Sequence, residues 1–157
     1  MKPAFSLLRA HHMGRTVTAA QVYEAIGHPS SMASDPVWQN TCAIRMSVAL
    51  IGAGMAIRPG RLKIRDGPFK GKMVEPGQHR LSEYLAREIG TPQRFKGGDA
   101  AMHGIGSQNG IISFFQIAGP TSRQGHIYLV SPNLWHGLIC NGFCYWGAVD
   151  VWFWALD

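Results

Sequence analysis

The most informative segment of the chain is WQNTCAIRMSVALIGA, residues 38–53. Two stripes of apolar residues at three- and four-residue spacing run through it: Cys42, Met46, Ala49 and Ala53 in one, and Ile44, Val48 and Ile51 in the other. The pattern predicts a helix from Thr41 or Cys42 to about Ala53. Because this helix is apolar on almost every side, it is expected in the core of the fold.

Shorter elements of both types flank this helix. Helical spacing predicts one or two helices within residues 4–26 and another at 81–89, with a Pro- and Ser-rich loop at 28–36. Residues 58–80 are rich in Gly and Pro and are expected to be mostly loop with one short strand. Apolar runs separated by turn-forming residues predict antiparallel strands at Ile111–Ile117, His126–Val130, Trp135–Cys140 and Val149–Leu156. The fold class is therefore α+β.

The composition is that of a globular domain. The 157 residues are 46% hydrophobic and 15% charged, which excludes a wholly disordered chain and suggests one domain over 1–157. No apolar run approaches the roughly 20 residues needed to cross a bilayer, so no membrane insertion is expected. The apolar stretch Phe5–Leu8 is shorter than a signal-peptide core, so we expect a protein made in the cytoplasm without a cleavable signal.

The net charge of +6 favours anionic partners, such as nucleic acid, an acidic protein, a membrane surface or a cell-wall polymer. The basic residues are scattered along the sequence, with no block longer than two. We find no helix-turn-helix, zinc-finger or aromatic RNA-binding motif, so nucleic acid is not an expected partner.

Cys42 lies at the expected start of the central helix. Helix N-termini carry unpaired N–H groups and a partial positive charge, which favour the nucleophilic thiolate form of a cysteine. The alternative is that Cys42 is a small buried hydrophobe, because cysteine is among the most buried residue types. Spacing alone favours this second interpretation and leaves the first open.

A cysteine nucleophile needs a base within hydrogen-bond reach, and the base needs a third group to orient it. His126 is the best placed of the seven histidines, because it follows Gly125 and opens a predicted strand. From there its ring can reach a helix packed on the sheet. His126 is therefore the candidate base.

The segment Trp38–Ser47 resembles the nucleophile segment of the group-four amidase effectors of bacterial type VI secretion, in which Gln-Asn, a small residue and Cys precede Ile-Arg-Met-Ser. The order of later motifs is also similar: Asn-Gly-Ile-Ile at 109–112, Gly-His at 125–126, and Trp-x-Gly-x-Ile-Cys-x-x-x-Cys at 135–144. Members of that family are peptidoglycan-cleaving cysteine amidases. The resemblance implies an NlpC-type, papain-like fold, with N-terminal helices packed on an antiparallel sheet and the catalytic cysteine, Cys42, at a helix N-terminus.

The third catalytic residue departs from the family pattern. The family has an Asp two positions after the first cysteine of the pair, where this chain has Gly142. The candidates are Asn141, Asp150 and His136. Asn141 is chosen, because it adjoins the expected position and an asparagine carbonyl can hold an imidazole tautomer.

Cys140 and Cys144 form a Cys-x-x-x-Cys pair. With His136 they offer three metal ligands, one fewer than a structural zinc site uses, so no metal is expected. The resemblance implies a disulfide instead, which the periplasm permits. No organic cofactor is expected either.

The remaining site candidates surround Cys42. Gln39 and Asn40 are possible side-chain donors to an oxyanion, beside the backbone N–H of Cys42. Arg45 either contacts an anionic substrate group or has a structural role, such as anchoring a carboxylate, and the structural role is favoured.

The resemblance implies a substrate, a delivery route and a partner. The substrate is the peptide stem of Gram-negative peptidoglycan, cut between D-glutamate and meso-diaminopimelate. Type VI secretion machinery delivers the protein into a rival's periplasm, and a cognate immunity protein, expected to be acidic, inhibits it in the producing cell. The alternatives are another cell-wall cysteine endopeptidase of the same fold, from a phage or for housekeeping, and a non-enzymatic basic binding module.

Overall fold

The computed structural model describes residues 1–132 and 147–157. The helices within these residues are α1 Phe5–His11, α2 Ala19–Ala25, α3 Cys42–Gly52, α4 Gln78–Glu88 and α5 Gly98–Ile105, with a 3-10 helix at Ser30–Ser34. The strands are β1 Leu62–Lys63, β2 Met73–Val74, β3 Gln93–Lys96, β4 Gly110–Phe115, β5 His126–Val130 and β6 Asp150–Ala155. The chain divides into two compact units, one of residues 6–84 and one of residues 1–5 and 85–157. The expectation of a single domain over 1–157 stays a prediction.

Helix α3 is the most buried helix of unit 6–84, with nine of its eleven residues buried. Its bounds agree with the predicted helix to within one residue at each end. Near its C-terminal end α3 is in close contact with α1, because a Cβ added to Gly52 would lie 2.2 Å from Cγ of His11. The prediction of a core helix is confirmed.

Strands β1 and β2 form a two-stranded antiparallel hairpin in the same unit, with Lys63 opposite Met73. One short strand was predicted in this Gly- and Pro-rich segment, and the structure has two, because a single isolated strand leaves its backbone groups unpaired. The hairpin is anchored by two hydrogen bonds to residues around the end of α2. The Arg65 N–H donates to the Ile26 carbonyl at 2.8 Å, and the His28 Nε2–H donates to the Lys63 carbonyl at 2.7 Å.

The second unit contains a four-stranded sheet in the order β3-β6-β4-β5, and its pairs are all antiparallel. Helix α5 packs on one face of this sheet. Its buried Ala101 and Ile105 belong to a core cluster with sheet residues that include Ile112, Phe114 and Phe153. Together with unit 6–84, these elements confirm the α+β class with an antiparallel sheet.

Two elements of this unit were not predicted, β3 and α5. The sequence of β3, QRFK, contains one apolar residue, so it shows no alternation, and α5 contains two glycines. Helix α4 begins at Gln78, three residues before the predicted start at Leu81. The predicted strand Trp135–Cys140 lies outside the described residues. In the part of the chain that the structure describes, no helix combines the length and apolarity needed to span a bilayer.

Candidate active site

Cys42 is the first residue of α3 and is 6% exposed. Its backbone N–H donates a hydrogen bond to Oδ1 of Asn40 at 3.1 Å. The first N–H groups of a helix have no acceptor within the helix, so a side-chain oxygen just before the helix start stabilises it. Asn40 therefore helps to fix the point at which α3 begins.

This hydrogen bond changes the expected chemistry of the helix start. The backbone N–H of Cys42 was expected to be ready to bind an oxyanion, but in this structure it is engaged by the Asn40 carbonyl oxygen. The role of the Cys42 N–H as an oxyanion donor stays a prediction. Gln39, next to it, is exposed to solvent.

Arg45 connects the start of α3 to the segment between α1 and α2. Its Nε–H donates to Oγ1 of Thr41 at 3.0 Å, and its Nη1 donates to the carbonyls of Met13 at 3.3 Å and Gly14 at 2.7 Å. These hydrogen bonds to carbonyl and hydroxyl oxygens give Arg45 a structural role. A contact between Arg45 and substrate stays a prediction.

Tyr23 on α2 fixes the segment that leads into α3. Its hydroxyl donates to the Trp38 carbonyl, and the Trp38 N–H donates to the Asp35 carbonyl at 2.9 Å. Burial, and to a lesser extent the charge of Asp35, raises the pKa of Tyr23. The hydroxyl therefore stays protonated and can keep donating. Sequence analysis missed this contact, although a tyrosine among the apolar positions of a predicted helix is a usable signal.

Ser47 is a buried polar residue in the otherwise apolar α3. Its hydroxyl donates to the Glu75 carbonyl at 3.3 Å and accepts the Glu75 N–H at 3.1 Å. The carboxylate of Glu75, 3% exposed, accepts Arg61 Nε–H at 3.0 Å on both oxygens and the Gly77 N–H at 2.8 Å. The hydrogen bond to Glu75 is the main cause of a raised pKa of Arg61. The two hydrogen bonds between Ser47 and Glu75 join α3 to the end of the hairpin, a role that was not predicted from the sequence.

His126 is the first residue of β5, as predicted, and is half-buried. It lies opposite Phe114 of β4, and the rings of the two residues are stacked with centroids 6.3 Å apart. The rings of His126 and Tyr128 are also stacked, with centroids 5.7 Å apart. Phe114 in turn lies opposite Val151 of β6, and residues directly opposite share a face of a sheet. His126 is therefore on the face that carries Phe114 and Val151.

Asp150, one of the candidates for orienting His126, faces the other way. It precedes Val151 and lies opposite Phe115, so its side chain is on the face of the sheet that does not carry His126. Its carboxylate accepts a hydrogen bond from Lys96 of the edge strand β3. Asp150 is therefore not placed to orient His126.

The other predicted site residues lie outside the described part of the chain. These are Asn141, His136 and the pair Cys140 and Cys144. Within residues 1–132 and 147–157, no cluster of three or more His, Cys, Asp or Glu side chains could hold a metal ion.

Residues 38–154 match the family model of Tae4, the type VI secretion system (T6SS) amidase effector protein 4. This span is more than half of the chain and includes both Cys42 and His126. The chain belongs to the Tae4 family. It is thus an amidase effector of type VI secretion. Among curated protein sequences, none matches the chain.

Solved structures of Tae4 proteins are similar to this chain over its length. Tae4 from Enterobacter cloacae superposes with a TM-score of 0.70 at 21% identity, covering 100% of this chain and 98% of that one. The Tae4–Tai4 effector–immunity complexes match with TM-scores of 0.69 for Enterobacter cloacae, at 21% identity, and 0.67 for Salmonella Typhimurium, at 23%, each covering 100% of both chains. At these identities the likeness shows that the chain has the Tae4 fold.

Proposed function

We propose that this Tae4 family effector is a cysteine amidase of peptidoglycan, with Cys42 as the nucleophile and His126 as the general base. The observation that carries the proposal is the position of Cys42 as the first residue of α3, inside the segment that matches the amidase family. Both compact units then belong to one amidase domain over 1–157. Its fold is of the NlpC, papain-like type, with N-terminal helices and an antiparallel sheet.

In the first half of the reaction, the Cys42 thiolate attacks the carbonyl carbon of an amide. A tetrahedral intermediate forms, and its C–N bond breaks as the His126 imidazolium donates a proton to the leaving amine. The product is a thioester on Cys42. In the second half, His126 takes a proton from water, the resulting hydroxide attacks the thioester, and the Cys42 thiolate leaves.

The oxyanion of both intermediates is stabilised at the start of α3. The backbone N–H of Cys42 is the main donor, and it becomes available when the Asn40 side chain moves from its 3.1 Å hydrogen bond. The amide groups of Asn40 and Gln39 are then candidates for a second donor. Arg45 supports this arrangement by holding Thr41, and contact with an anionic substrate group is its alternative role.

Asn141 is the proposed orienting group for His126. The position of Asp150 on the opposite face of the sheet supports this choice over Asp150. We also propose a disulfide between Cys140 and Cys144, which would restrict the chain around Asn141.

The substrate is the peptide stem of Gram-negative peptidoglycan, cut between D-glutamate and meso-diaminopimelate. The effector acts in the periplasm of a target cell after delivery by the type VI machinery. The related Tae4 proteins form complexes with Tai4 immunity proteins. We therefore propose an immunity protein of that kind for this chain, acidic because the effector carries a net charge of +6.

The test of this proposal is the mass of the products formed from purified tetrapeptide muropeptides. Wild-type protein is expected to release a fragment that begins with meso-diaminopimelate. His126→Ala is expected to lose at least about a thousandfold in rate, in the range found for triad residues. His79→Ala is the matched control, because His79 is an exposed histidine of α4 paired with Glu83, and it is expected to retain the wild-type rate.

Two outcomes would contradict the proposal. Products with other masses would place the cut at a different bond and favour another cell-wall endopeptidase. No cleavage by folded wild-type protein, together with slow labelling of Cys42 by iodoacetamide, would favour the non-enzymatic binding module.

A further inference from the structure

The positive charge of the chain is concentrated in the hairpin and its flanks. Residues 58–72, which we call the basic hairpin, contain six cationic residues and one acidic residue. The cationic residues are Arg58, Arg61, Lys63, Arg65, Lys70 and Lys72. This segment of 15 residues therefore has a net charge of +5, out of +6 for the whole chain.

The strand geometry places part of this charge in a row. Pairing extends beyond β1, because the Arg61 N–H donates to the Val74 carbonyl and the Ile64 N–H donates to the Lys72 carbonyl. Alternate residues of a strand share a side, so Arg61, Lys63 and Arg65 lie on one side, roughly 6.6 Å apart along the chain. The side chains of Ile64 and Val74 on the other side are buried.

Most of the cations in the basic hairpin are not neutralised. All six are exposed, and Arg61 pairs with Glu75. Among the described residues, the other five form no ion pair with a carboxylate within 4 Å. Lys63 and Arg65, on one side of the first strand, are therefore two uncompensated cations beside Arg61, and the other three cations lie within the same 15 residues. A local concentration of positive charge attracts anionic partners more strongly than the same charges dispersed over the protein.

The backbone of the basic hairpin is held in place before any partner binds. Its anchors are the bonds from Arg65 to Ile26 and from His28 to Lys63, and the bridge from Ser47 to Glu75. A surface fixed in this way loses little conformational entropy on binding. This feature indicates a binding surface rather than a loosely solvated loop.

The chemistry of the surface favours a hydrated anionic polymer over a membrane or a protein. The exposed large apolar residues in the described part of the chain are Met1, Leu7, Val37 and Met102, none of them in the basic hairpin. The Phe69 ring packs edge-on against His11 at 5.9 Å. Peripheral membrane segments and protein interfaces both use exposed apolar side chains at their centres, and the large apolar residues of the basic hairpin, Leu62, Ile64 and Phe69, are half-buried or buried.

We propose that the basic hairpin is a docking surface for the carboxylates of intact peptidoglycan, separate from the Cys42 site. The proposal rests on the proposed function, because the peptide stems of that substrate supply a repeating array of carboxylates. The surface would hold the effector on the polymer between successive cleavages.

The test is co-sedimentation with purified Gram-negative sacculi, in a Cys42→Ala background that binds without hydrolysis. The variant Lys63→Gln/Arg65→Gln/Lys70→Gln is expected to bind about tenfold more weakly, because each exposed ion pair makes only a small contribution to binding and three are lost. The control Arg9→Gln/Arg87→Gln/Arg123→Gln removes the same charge from exposed residues elsewhere and is expected to bind within twofold of the parent. Salt at about 1 M is expected to release the parent.

Three results would overturn the proposal. The hairpin variant and the control could bind equally, which would show that only net charge matters. The parent could bind vesicles of phosphatidylglycerol but not sacculi, which would identify a membrane partner. Should the triple variant not fold, Lys70→Glu at the exposed turn serves instead, and undiminished binding by it would overturn the proposal. Failure of muropeptide cleavage would contradict the proposed function without affecting this assay.

Discussion

At the scale of single residues, the hydrogen bond from the Cys42 N–H to Asn40 defines how α3 starts. Replacing Asn40 with Ala removes the acceptor and is expected to lower the free energy of unfolding by about 1 kcal/mol. Asn40→Asp keeps an acceptor at a helix N-terminus and is expected to be close to wild type in stability. Urea denaturation measures both changes. Gln39→Ala, at the exposed neighbouring position, is the control, and an equal effect of both Ala variants would contradict the role of Asn40.

Tyr23 gives a pH dependence that follows from its raised pKa. The folded protein keeps the Tyr23 proton at pH values where the unfolded chain, with a pKa of about 10, loses it. The stabilisation is therefore complete below about pH 10 and is lost as the pH rises through the higher folded-state pKa. Tyr23→Phe is expected to cost about 1 kcal/mol at neutral pH, because the Trp38 carbonyl loses its donor. The stability of the Tyr23→Phe variant is also expected to fall less steeply than that of the wild type between about pH 9 and 11. Identical slopes of thermal stability against pH for the two proteins would contradict this account.

The residue scale also shows the limits of sequence analysis at the site. Cys42 was predicted at a helix start because apolar periodicity begins there. The acceptor role of Asn40 was not predicted, because an amide can donate or accept and only the backbone geometry selects one. The acceptors of Arg45 could not be predicted from the sequence either, since two of them are carbonyls more than thirty residues earlier in the chain.

At the scale of elements, Glu75 joins the hairpin to α3 and to Arg61. Glu75→Ala removes the acceptor of Arg61 and Gly77 and leaves a cavity, so it is expected to lower the free energy of unfolding by about 3 kcal/mol. Glu83→Ala is the matched control, because Glu83 is half-exposed and its pair with His79 is 3.5 Å long. Exposed pairs contribute at most about 1 kcal/mol. Similar losses in the two variants, measured by denaturation, would show that the Glu75 cluster is not a structural clamp.

The central pair of strands in the sheet depends on Gly110. A Cβ at this position would lie 2.1 Å from the Trp154 carbonyl oxygen, which belongs to the backbone and cannot move independently. Gly110→Ala is therefore expected to lower the free energy of unfolding by about 2 kcal/mol. Gly14→Ala, where no atom lies within 4 Å of the new Cβ, is expected to be neutral. Comparable melting temperatures for the two variants would contradict the close approach of β4 and β6.

The elements that were predicted and those that were missed differ in how much apolar surface they bury. Helix α3 is buried along almost its whole length, so the spacing of apolar residues in the sequence indicates where the helix begins and where it ends. Strand β3 lies at the edge of the sheet with only Phe95 partly covered, and α5 buries one side through Ala101 and Ile105. Elements with so little buried surface leave a weak pattern in the sequence.

At the scale of the whole molecule, the distribution of charge and the family membership could be predicted from the sequence to different degrees. Composition predicted the net charge, but the scattered appearance of the basic residues was misleading, because six of the fifteen fall within the basic hairpin and three of these lie on one side of its first strand. The amidase family could be predicted because its motif occupies consecutive residues, 38–47, at the start of α3, and the family match over 38–154 confirms it. The choice of His126 as the candidate base came from its place at the start of a predicted strand, and the resemblance added support for pairing it with Cys42.

The central claim is that Cys42 performs the amidase reaction, and one comparison tests it most directly. Initial rates of cleavage of a purified tetrapeptide muropeptide are measured for wild type and Cys42→Ala, after circular dichroism shows that both are folded. Removal of a catalytic nucleophile is expected to lower the rate by about a thousandfold or more. A Cys42→Ala protein that retains a rate within about tenfold of wild type would contradict the assignment.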